Sequence, residues 1–480
     1  MAKSFLFSIF LLLAYVVYAQ PQIDLVTCTL FFVGDAGEPF IIDDPLGRAL
    51  RDRVKNSGSN TMVVFLGDNI YPKGMPGPHE RDRAMAEKII QAQVDWIKDL
   101  DAEGIFIPGN HDWLRGRKRG WEYITNQQRW FDSLNNKKIT LWPKDGCPGP
   151  IEIPLNDQTT LVILDTQWFL HPWNKPAEES ECDAKSPADV LIFLEDIFIR
   201  NPTKRIVVAG HHPLITYGEH GGTSILKDHI FPLTSVRPKL YIPLPILGSF
   251  YPLYRKWFGD IQDTSHPLYQ EMIKALGNTL AEHPGSIYVS GHEHSLQAIV
   301  KDSTYFIVSG SGAKTTNVKK KKYSRFAASV TGFVKAEIFK SGRVKLEYFQ
   351  VDVDFPNGKT IYTDSLPPQL NLQPIPPSVG NLDFSNKIVR VKASDQYQAG
   401  NGKQKIFGKN YREAWAQEID VPVFDLAREQ GGLKILQKGG GMQTLSLRME
   451  DSSGREFVIR SIEKFPEKAV PQMFRKTFIQ

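Results

Sequence analysis

The sequence predicts an α/β fold in which short buried strands alternate with amphipathic helices between about residues 23 and 353. The strand prediction depends on short runs that are rich in Val, Ile and Phe and bounded by glycine. These runs are Thr29–Val33, Met62–Leu66, Gly104–Ile107, Thr160–Leu164, Arg205–Ala209, Ser286–Val289 and Tyr305–Val308. Because ligands of layered α/β folds bind outside the carboxyl ends of the strands, the residues that follow these runs are the place to look for a site.

Helices are predicted between the strands at Glu80–Leu100, Pro187–Arg200 and Pro267–Glu282. The first is the clearest, since its apolar residues from Ala86 to Ile97 recur at the helical period and form one face. Residues Thr331–Val351 predict a closing hairpin with its turn at Ser341-Gly342.

The first 19 residues are predicted to be a cleaved signal peptide. Lys3 precedes an uncharged apolar run, Phe5–Tyr18, and Val17-Tyr18-Ala19 places small residues before Gln20. An uncleaved membrane anchor is the alternative, but spanning a bilayer takes about 20 apolar residues. We therefore expect export, to the periplasm, the outer membrane or the extracellular space.

The cysteines and the net charge restrict which binding partners and which disulfides we expect. Cys147 and Cys182 both lie in loop-like contexts and are candidates for a disulfide after export, whereas Cys28 is expected to be a buried thiol. The net charge of +5 is mild, and the basic run Lys319–Lys322 is interpreted as a solvated loop. No nucleic-acid-binding role is expected.

Composition divides the rest of the chain. The α/β domain is predicted at residues 20–353, with an apolar, Pro-rich insertion at 232–263 for which a lid, a partner contact and, our preference, a packed loop are alternatives. A Pro-rich linker is predicted at 354–380. Residues 381–480 are predicted to form a small, β-rich accessory module of α+β type, and the alternative that the chain is a fragment of a longer protein stays open.

Glycine and metal-ligand residue types follow five of the strands. The motifs are Gly34-Asp35-Ala36-Gly37, Gly67-Asp68-Asn69-Ile70-Tyr71, Gly109-Asn110-His111-Asp112, Gly210-His211-His212-Pro213 and Gly291-His292-Glu293-His294. Taken singly, each fits a turn, a helix cap or a loop histidine. Together at strand ends they predict a metal site, and His292 and His294, two residues apart in extended chain, face the same side.

These motifs resemble those of the calcineurin-like metallophosphoesterase superfamily, and within it the purple acid phosphatase group, over residues 27–350. The resemblance implies a four-layer αββα sandwich of two mixed sheets. It also implies hydrolysis of small phosphate esters, foremost phosphomonoesters, by a hydroxide that bridges two metal ions. A phosphodiesterase acting on nucleotides or phospholipids, and a surface-assembly protein with a vestigial site, are the alternatives.

Carried over residue by residue, the resemblance implies two ligand sets that share Asp68. The first metal would be held by Asp35, Asp68, Tyr71 and His294, and the second by Asp68, Asn110, His211 and His292. Gly37 stands where most superfamily members have a histidine, and Tyr71 is placed as in purple acid phosphatases. Because a phenolate suits Fe(III), we expect Fe(III) at the Tyr71 site and Fe(II), Zn or Mn at the other.

Two further histidines are candidates for contact with the phosphate or the leaving group. The resemblance implies that His111 faces the phosphate, and Asp112 is expected to orient it. His220, in Glu219-His220-Gly221, resembles a segment of mammalian tartrate-resistant acid phosphatases, and a surface histidine is the alternative. His212 is expected to line the site without binding metal. A resemblance to bacterial exported phosphoesterases raises, as a hypothesis, an outer-membrane association through residues 381–480.

Overall fold

The structure is a computed structural model that describes residues 24–369, except 39–43, 59 and several positions between 225 and 258, and strand backbones beyond residue 388. The predicted signal peptide and residues 370–388 of the predicted linker and module lie outside the described residues. Within the described part of the chain, no helix is long and apolar enough to cross a membrane.

Two seven-stranded mixed sheets form the body of the domain. In spatial order, the first contains β14 (Lys359–Leu366), β13 (Val344–Gln350), β12 (Gly332–Phe339), β1 (Val26–Val33), β2 (Thr61–Phe65), β3 (Ala102–Phe106) and β4 (Ile139–Leu141). The second contains β11 (Ser324–Ala328), β9 (Leu296–Lys301), β10 (Thr304–Ser309), β8 (Ile287–Ser290), β7 (Arg205–Ala209), β6 (Thr159–Ile163) and β5 (Ile151–Asn156). The inner faces of the two sheets share one apolar core.

Helices cover the outer faces of both sheets. Those packed on the first sheet are α1 (Pro45–Lys55), α2 (Arg83–Asp95) and α3 (Gly120–Ser133). Those on the second are α4 (Thr166–Leu170), α5 (Pro187–Arg200) and α6 (Pro267–Glu282). The four layers confirm the predicted αββα sandwich. The seven predicted strands and the closing hairpin are present within two residues of their expected bounds, except that β1 begins three residues earlier, at Val26.

Side-chain caps fix the first residues of two helices. The Asp44 side chain accepts the Leu46 N–H at 3.0 Å and caps α1, and Ser186 with Asp189 forms a capping box before α5. The helix predicted over residues 80–100 is shorter in the structure. Helix α2 ends at Asp95, and the chain continues as turns in which Ile97 is still buried.

The first sheet extends into the segment predicted as a linker. Strand β14 pairs antiparallel with β13 along its length, so the sheet ends at Leu366 and not at residue 353. The reason is that the cluster of prolines begins only at Pro367, and the preceding Thr, Ile and Tyr residues favour a strand. Cys147 and Cys182 form the predicted disulfide, with Cα atoms 5.6 Å apart, and Cys28 is buried as predicted.

Strands also make up the described part of the C-terminal module. One four-stranded sheet has the order β18 (Ala416–Val421), β15 (Val389–Ser394), β20 (Gly441–Glu450), β21 (Glu456–Phe465). The other has the order β17 (Gln404–Phe407), β16 (Tyr397–Asn401), β19 (Lys434–Gln437), β22 (Pro471–Met473). The β-rich prediction is confirmed for these residues, and any helical part of an α+β module falls outside them.

Parallel pairing brings the motif-bearing strand ends to one edge of the sandwich. Strands β1, β2 and β3 are parallel neighbours in the first sheet, and β7 and β8 are parallel neighbours in the second. Main-chain hydrogen bonds join the turns that follow them, such as the Gly34 N–H to the Ser309 carbonyl at 2.8 Å and the Gly291 N–H to the His211 carbonyl at 3.0 Å. All five motifs therefore meet at this edge.

Candidate metal centre

The residues predicted as metal ligands lie together at this edge. All are buried except His294, whose side chain is 18% exposed. Asp35, Asp68 and His292 have φ angles of 58°, 54° and 63°, a region that residues other than glycine rarely occupy. Backbone strain of this kind is found at functional sites, where the surrounding structure holds a side chain in one orientation.

Three donor atoms converge from Asn110, His211 and His292. His211 Nε2 and His292 Nδ1 lie 3.0 and 3.1 Å from Asn110 Oδ1 and 3.3 Å from each other. Their other ring nitrogens face main-chain carbonyls, at 2.7 Å from the Leu66 oxygen and 2.8 Å from the Gln262 oxygen. Since a carbonyl only accepts, those far nitrogens carry protons, and in the neutral rings the near nitrogens direct lone pairs at one another. A cation between them would relieve this repulsion, so the donor set fits a metal ion.

A second group of donors is formed by Tyr71, Asp35 and His294. The Tyr71 hydroxyl donates to Asp35 Oδ1 at 3.0 Å and lies 3.1 Å from His294 Nε2, which is 3.4 Å from the same carboxylate oxygen. Burial, followed by the charges of Asp35 and Asp68, raises the pKa of Tyr71 well above its ordinary value. The ammonium of Lys314 lies 3.8 Å from the centre of the Tyr71 ring. The oxygen donors of Asp35 and Tyr71 are hard, which suits a highly charged cation.

Asp68 lies between the two groups. Its Oδ1 accepts the main-chain N–H of His111 at 2.8 Å and is 3.4 Å from His211 Nε2. Burial opposes ionisation of Asp68, but the neighbouring His111 and His211 bring its pKa to about 2. Among the described residues, ligand atoms of Asp35, Asp68 and His211 lie within 4.8 Å of one another. This position fits the predicted bridging role.

Gly37 has no room for a side chain. The Gly37 N–H donates to the Asp68 carbonyl at 3.2 Å, and the Tyr71 N–H donates to the Gly37 carbonyl at 2.7 Å. A Cβ at Gly37 would therefore lie 2.4 to 2.5 Å from main-chain atoms of Asn69 and Ile70. The first two motifs pack backbone against backbone, so a histidine at position 37 is sterically excluded and Tyr71 is the donor available at that side.

His111 lies beside the ligands with 18% of its side chain exposed. Its Nδ1 is 2.6 Å from the Pro72 carbonyl, which sets the orientation of the ring. Asp112 does not orient His111 as predicted. Its Oδ2 accepts the main-chain N–H groups of Asn69 at 3.2 Å and Gly109 at 2.8 Å, so it ties two motif turns together behind the site.

His220 packs on His292, with ring centroids 4.1 Å apart, so the Glu-His-Gly segment is at the site and not on a remote surface. Its Nδ1 is 2.9 Å from the buried carboxylate of Asp263. Asp263 and Gln262 end the 232–263 insertion, much of which lies outside the described residues. This end of the insertion packs against the site.

His212 lines the site, as predicted. Its ring nitrogens lie 2.8 Å from the hydroxyl of Thr166 and 2.8 Å from Oε1 of Gln262. Within the described part of the chain, ligand atoms of His211, His212 and His292 also lie within 4.8 Å of one another. One nitrogen of His212 faces the accepting Oε1 of Gln262 and the other faces a hydroxyl that can donate, so neither directs an unpaired lone pair as His211 and His292 do. We therefore keep His212 outside the ligand set.

Four residues at the site were not predicted from the sequence: Gln262, Asp263, Glu293 and Lys314. Glu293 lies between His292 and His294, and successive side chains of an extended chain point to opposite sides. The sequence pattern therefore places Glu293 on the side away from the two histidines. Lys314 follows β10 in a Gly- and Ser-rich segment without ligand spacing. The only signal for Gln262 and Asp263 is their polarity at the end of an apolar insertion.

Two solved structures are similar to part of this chain. GAP50, the anchor in the inner membrane complex of Plasmodium, is similar with a TM-score of 0.44 and 15% identity over 72% of this chain and 89% of that chain. The purple acid phosphatase PPD1 from yellow lupin (Lupinus luteus) seeds is similar with a TM-score of 0.41 and 14% identity over 71% of this chain and 53% of that chain. Neither likeness is close enough to support a conclusion about activity.

No curated protein sequence matches the chain. The family model for the calcineurin-like phosphoesterases matches residues 32–296. This match covers more than half of the chain and contains all five motifs, from Gly34 to His294. The chain belongs to the calcineurin-like phosphoesterase family.

Proposed function

We propose that this protein hydrolyses phosphate esters, foremost phosphomonoesters, with two metal ions held by the residues at the sheet edge. The observation that carries the proposal is the 3.3 Å approach of His211 Nε2 and His292 Nδ1, each with its proton on the far side. Two neutral imidazoles do not direct lone pairs at each other without a cation between them. Since the chain belongs to the calcineurin-like phosphoesterase family, hydrolysis of a phosphate ester is the reaction that such a cation would catalyse.

The residues at the sheet edge would have separate roles in holding the ions and in contacting the substrate. Asp35, Tyr71 and His294 would hold one ion, Asn110, His211 and His292 the other, and Asp68 both. When bound, such a pair of ions lowers the pKa of water and neutralises charge on the phosphoryl oxygens. His111 and His220, on either side of the ligands, would contact the phosphoryl group or the leaving oxygen.

Fe(III) is the ion we propose for the Tyr71 side. The support is chemical: a phenol and a carboxylate are hard oxygen donors. Fe(II), Zn or Mn is proposed for the side with two imidazoles and one amide oxygen.

The function is tested on protein loaded with iron plus zinc or manganese. Rates are measured on a matched panel of phosphomonoesters and phosphodiesters for the native protein, for His211→Ala, and for His79→Ala as a control at an exposed histidine outside the five motifs. The proposal expects monoester hydrolysis that His211→Ala lowers about a hundredfold and His79→Ala preserves. Preference for diesters would support the phosphodiesterase alternative. Full metal content without any hydrolysis would support a vestigial site.

We also propose that the protein is exported. The sequence of residues 1–19 and the Cys147–Cys182 disulfide support this, because disulfides persist in oxidising compartments. Fractionation of cells that express the full chain, compared with a chain lacking residues 381–480, tests both export and the proposed outer-membrane association. Recovery of the full chain in the cytoplasm would contradict both.

A further inference from the structure

We propose that Glu293 is a positioning residue that fixes the loop carrying His220 against the loop carrying His292 and His294. The inference deepens the proposed function and rests on it for its kinetic consequence. Glu293 is fully buried, although its neighbours on both sides are predicted metal ligands. Its side chain points away from the ligands, into the packing between two loops.

The carboxylate of Glu293 accepts four hydrogen bonds from two segments of the chain, residues 216–220 and Thr316. Oε1 accepts from the Glu219 N–H at 3.0 Å and from the Thr316 hydroxyl at 3.1 Å. Oε2 accepts from the His220 N–H at 3.1 Å and from the Thr216 hydroxyl at 3.1 Å. Each oxygen thus binds one main-chain N–H and one hydroxyl, and the main chain of His220 is held directly.

The loop that carries His220 packs closely against the Glu293 carboxylate. A Cβ at Gly218 would lie 2.1 Å from the Glu293 carboxyl carbon, so the main chain of the loop rests directly on this side chain. Gln297 continues the contact: its Nε2 donates to the Thr216 hydroxyl at 2.9 Å, and its Oε1 accepts the Tyr217 N–H at 3.0 Å. A buried polar network with all its members paired holds one arrangement of the loop.

The position of this loop affects the metal centre through His220. The His220 ring packs on the His292 ring at 4.1 Å, so a shift of the His220 main chain moves the ring relative to the ligands. A misplacement of about 1 Å in a catalytic group can lower a rate about a hundredfold. Glu293 therefore acts through His220 and not on the substrate.

Glu293→Gln is the variant that isolates this role. Whichever way the amide turns, its NH₂ group faces the N–H of either Glu219 or His220, so one of these donors loses its acceptor. Thr316→Val is the matched control, because it removes one hydroxyl donor and keeps both main-chain bonds.

The first readout is hydrogen exchange of the amides of residues 217–223, which needs no activity. In Glu293→Gln the Glu219 or His220 amide is expected to exchange about tenfold faster, and in Thr316→Val both are expected to keep the native rate. Unchanged exchange in Glu293→Gln would overturn the proposal whether or not the protein is a phosphoesterase. If Glu293→Gln does not fold, Glu293→Asp, which keeps the charge on a shorter side chain, is measured in the same way.

The second readout is kinetic. Glu293→Gln is expected to lower kcat about ten- to a hundredfold with full metal content, and to cause no further loss in a His220→Ala background. An equal loss in both backgrounds, or loss of metal from Glu293→Gln, would show that Glu293 acts on the ligand histidines and would overturn the proposal. Absence of hydrolysis by the native protein would instead overturn the proposed function, and the exchange measurement would still decide the role of Glu293.

Discussion

The two halves of the candidate metal centre are built differently. In the His211 half, the far nitrogens of His211 and His292 are bonded to main-chain carbonyls, so their lone pairs are aligned before any ion binds. In the Tyr71 half, the phenol donates to Asp35, so the donors are bonded to one another. The first half is prepared for a divalent ion, whereas the second must exchange a hydrogen bond for a metal bond, which favours a more highly charged ion.

Replacing the residue between the halves should have the largest effect. Asp68→Asn keeps the shape but removes the charge that both halves share. Both ions should be lost and phosphomonoester hydrolysis should fall by about a thousandfold or more, since metal ions supply several kcal/mol of transition-state stabilisation. Metal analysis beside initial rates checks this. Retention of both ions with native rates would remove Asp68 from the centre and break the comparison.

The support behind the His211 half should be sensitive to pH. Asp165 caps α4, whose Thr166 holds His212, and burial raises the pKa of Asp165 to about 7. The folded chain therefore binds this proton more tightly than the unfolded chain. The free energy of unfolding should fall as pH rises from about 4 to about 7, by up to about 4 kcal/mol.

Chemical denaturation at several pH values, with a chelator present throughout, measures this dependence. Asp165→Asn cannot ionise, so its stability should vary less over the same pH range. Equal slopes for the native chain and the variant would show that Asp165 is not the titrating group.

The halves should also be separable. His211→Ala removes a ligand from one half only, so it should lower the content of the second metal and reduce activity about a hundredfold while iron is retained. Metal analysis of the purified variant gives the answer. Equal loss of iron would mean that the halves bind as one unit.

A smaller effect is expected where the first two motifs touch. Gly37→Ala places a methyl group 2.4 to 2.5 Å from the main chain of Asn69 and Ile70, so the turns must separate. Stability should fall by about 1–3 kcal/mol. Denaturation midpoints measure this, with Gly58→Ala as a control at a position with open space around it. Equal stability of the two variants would contradict the close packing at Gly37.

What the sequence could predict follows from what it encodes locally. Strand ends with glycine and ligand-type residues predict a metal site, because parallel strands bring such ends to one edge, and the family resemblance implies which seven residues are the ligands. Periodicity also predicts the helices at 187–200 and 267–282. Contacts that depend on folding could not be predicted in this way: Pro72 as the partner of His111, Asp263 as the partner of His220, and β14 in place of a linker.

The visible spectrum of the iron-loaded protein, with metal analysis, tests the central claim most directly. The account predicts a tyrosinate-to-Fe(III) absorption band in the native protein. Tyr71→Phe should abolish the band, while circular dichroism shows an intact fold and the His211 half keeps its metal. A colourless, iron-free protein that hydrolyses phosphomonoesters at the native rate would contradict the assignment of Fe(III) to Tyr71.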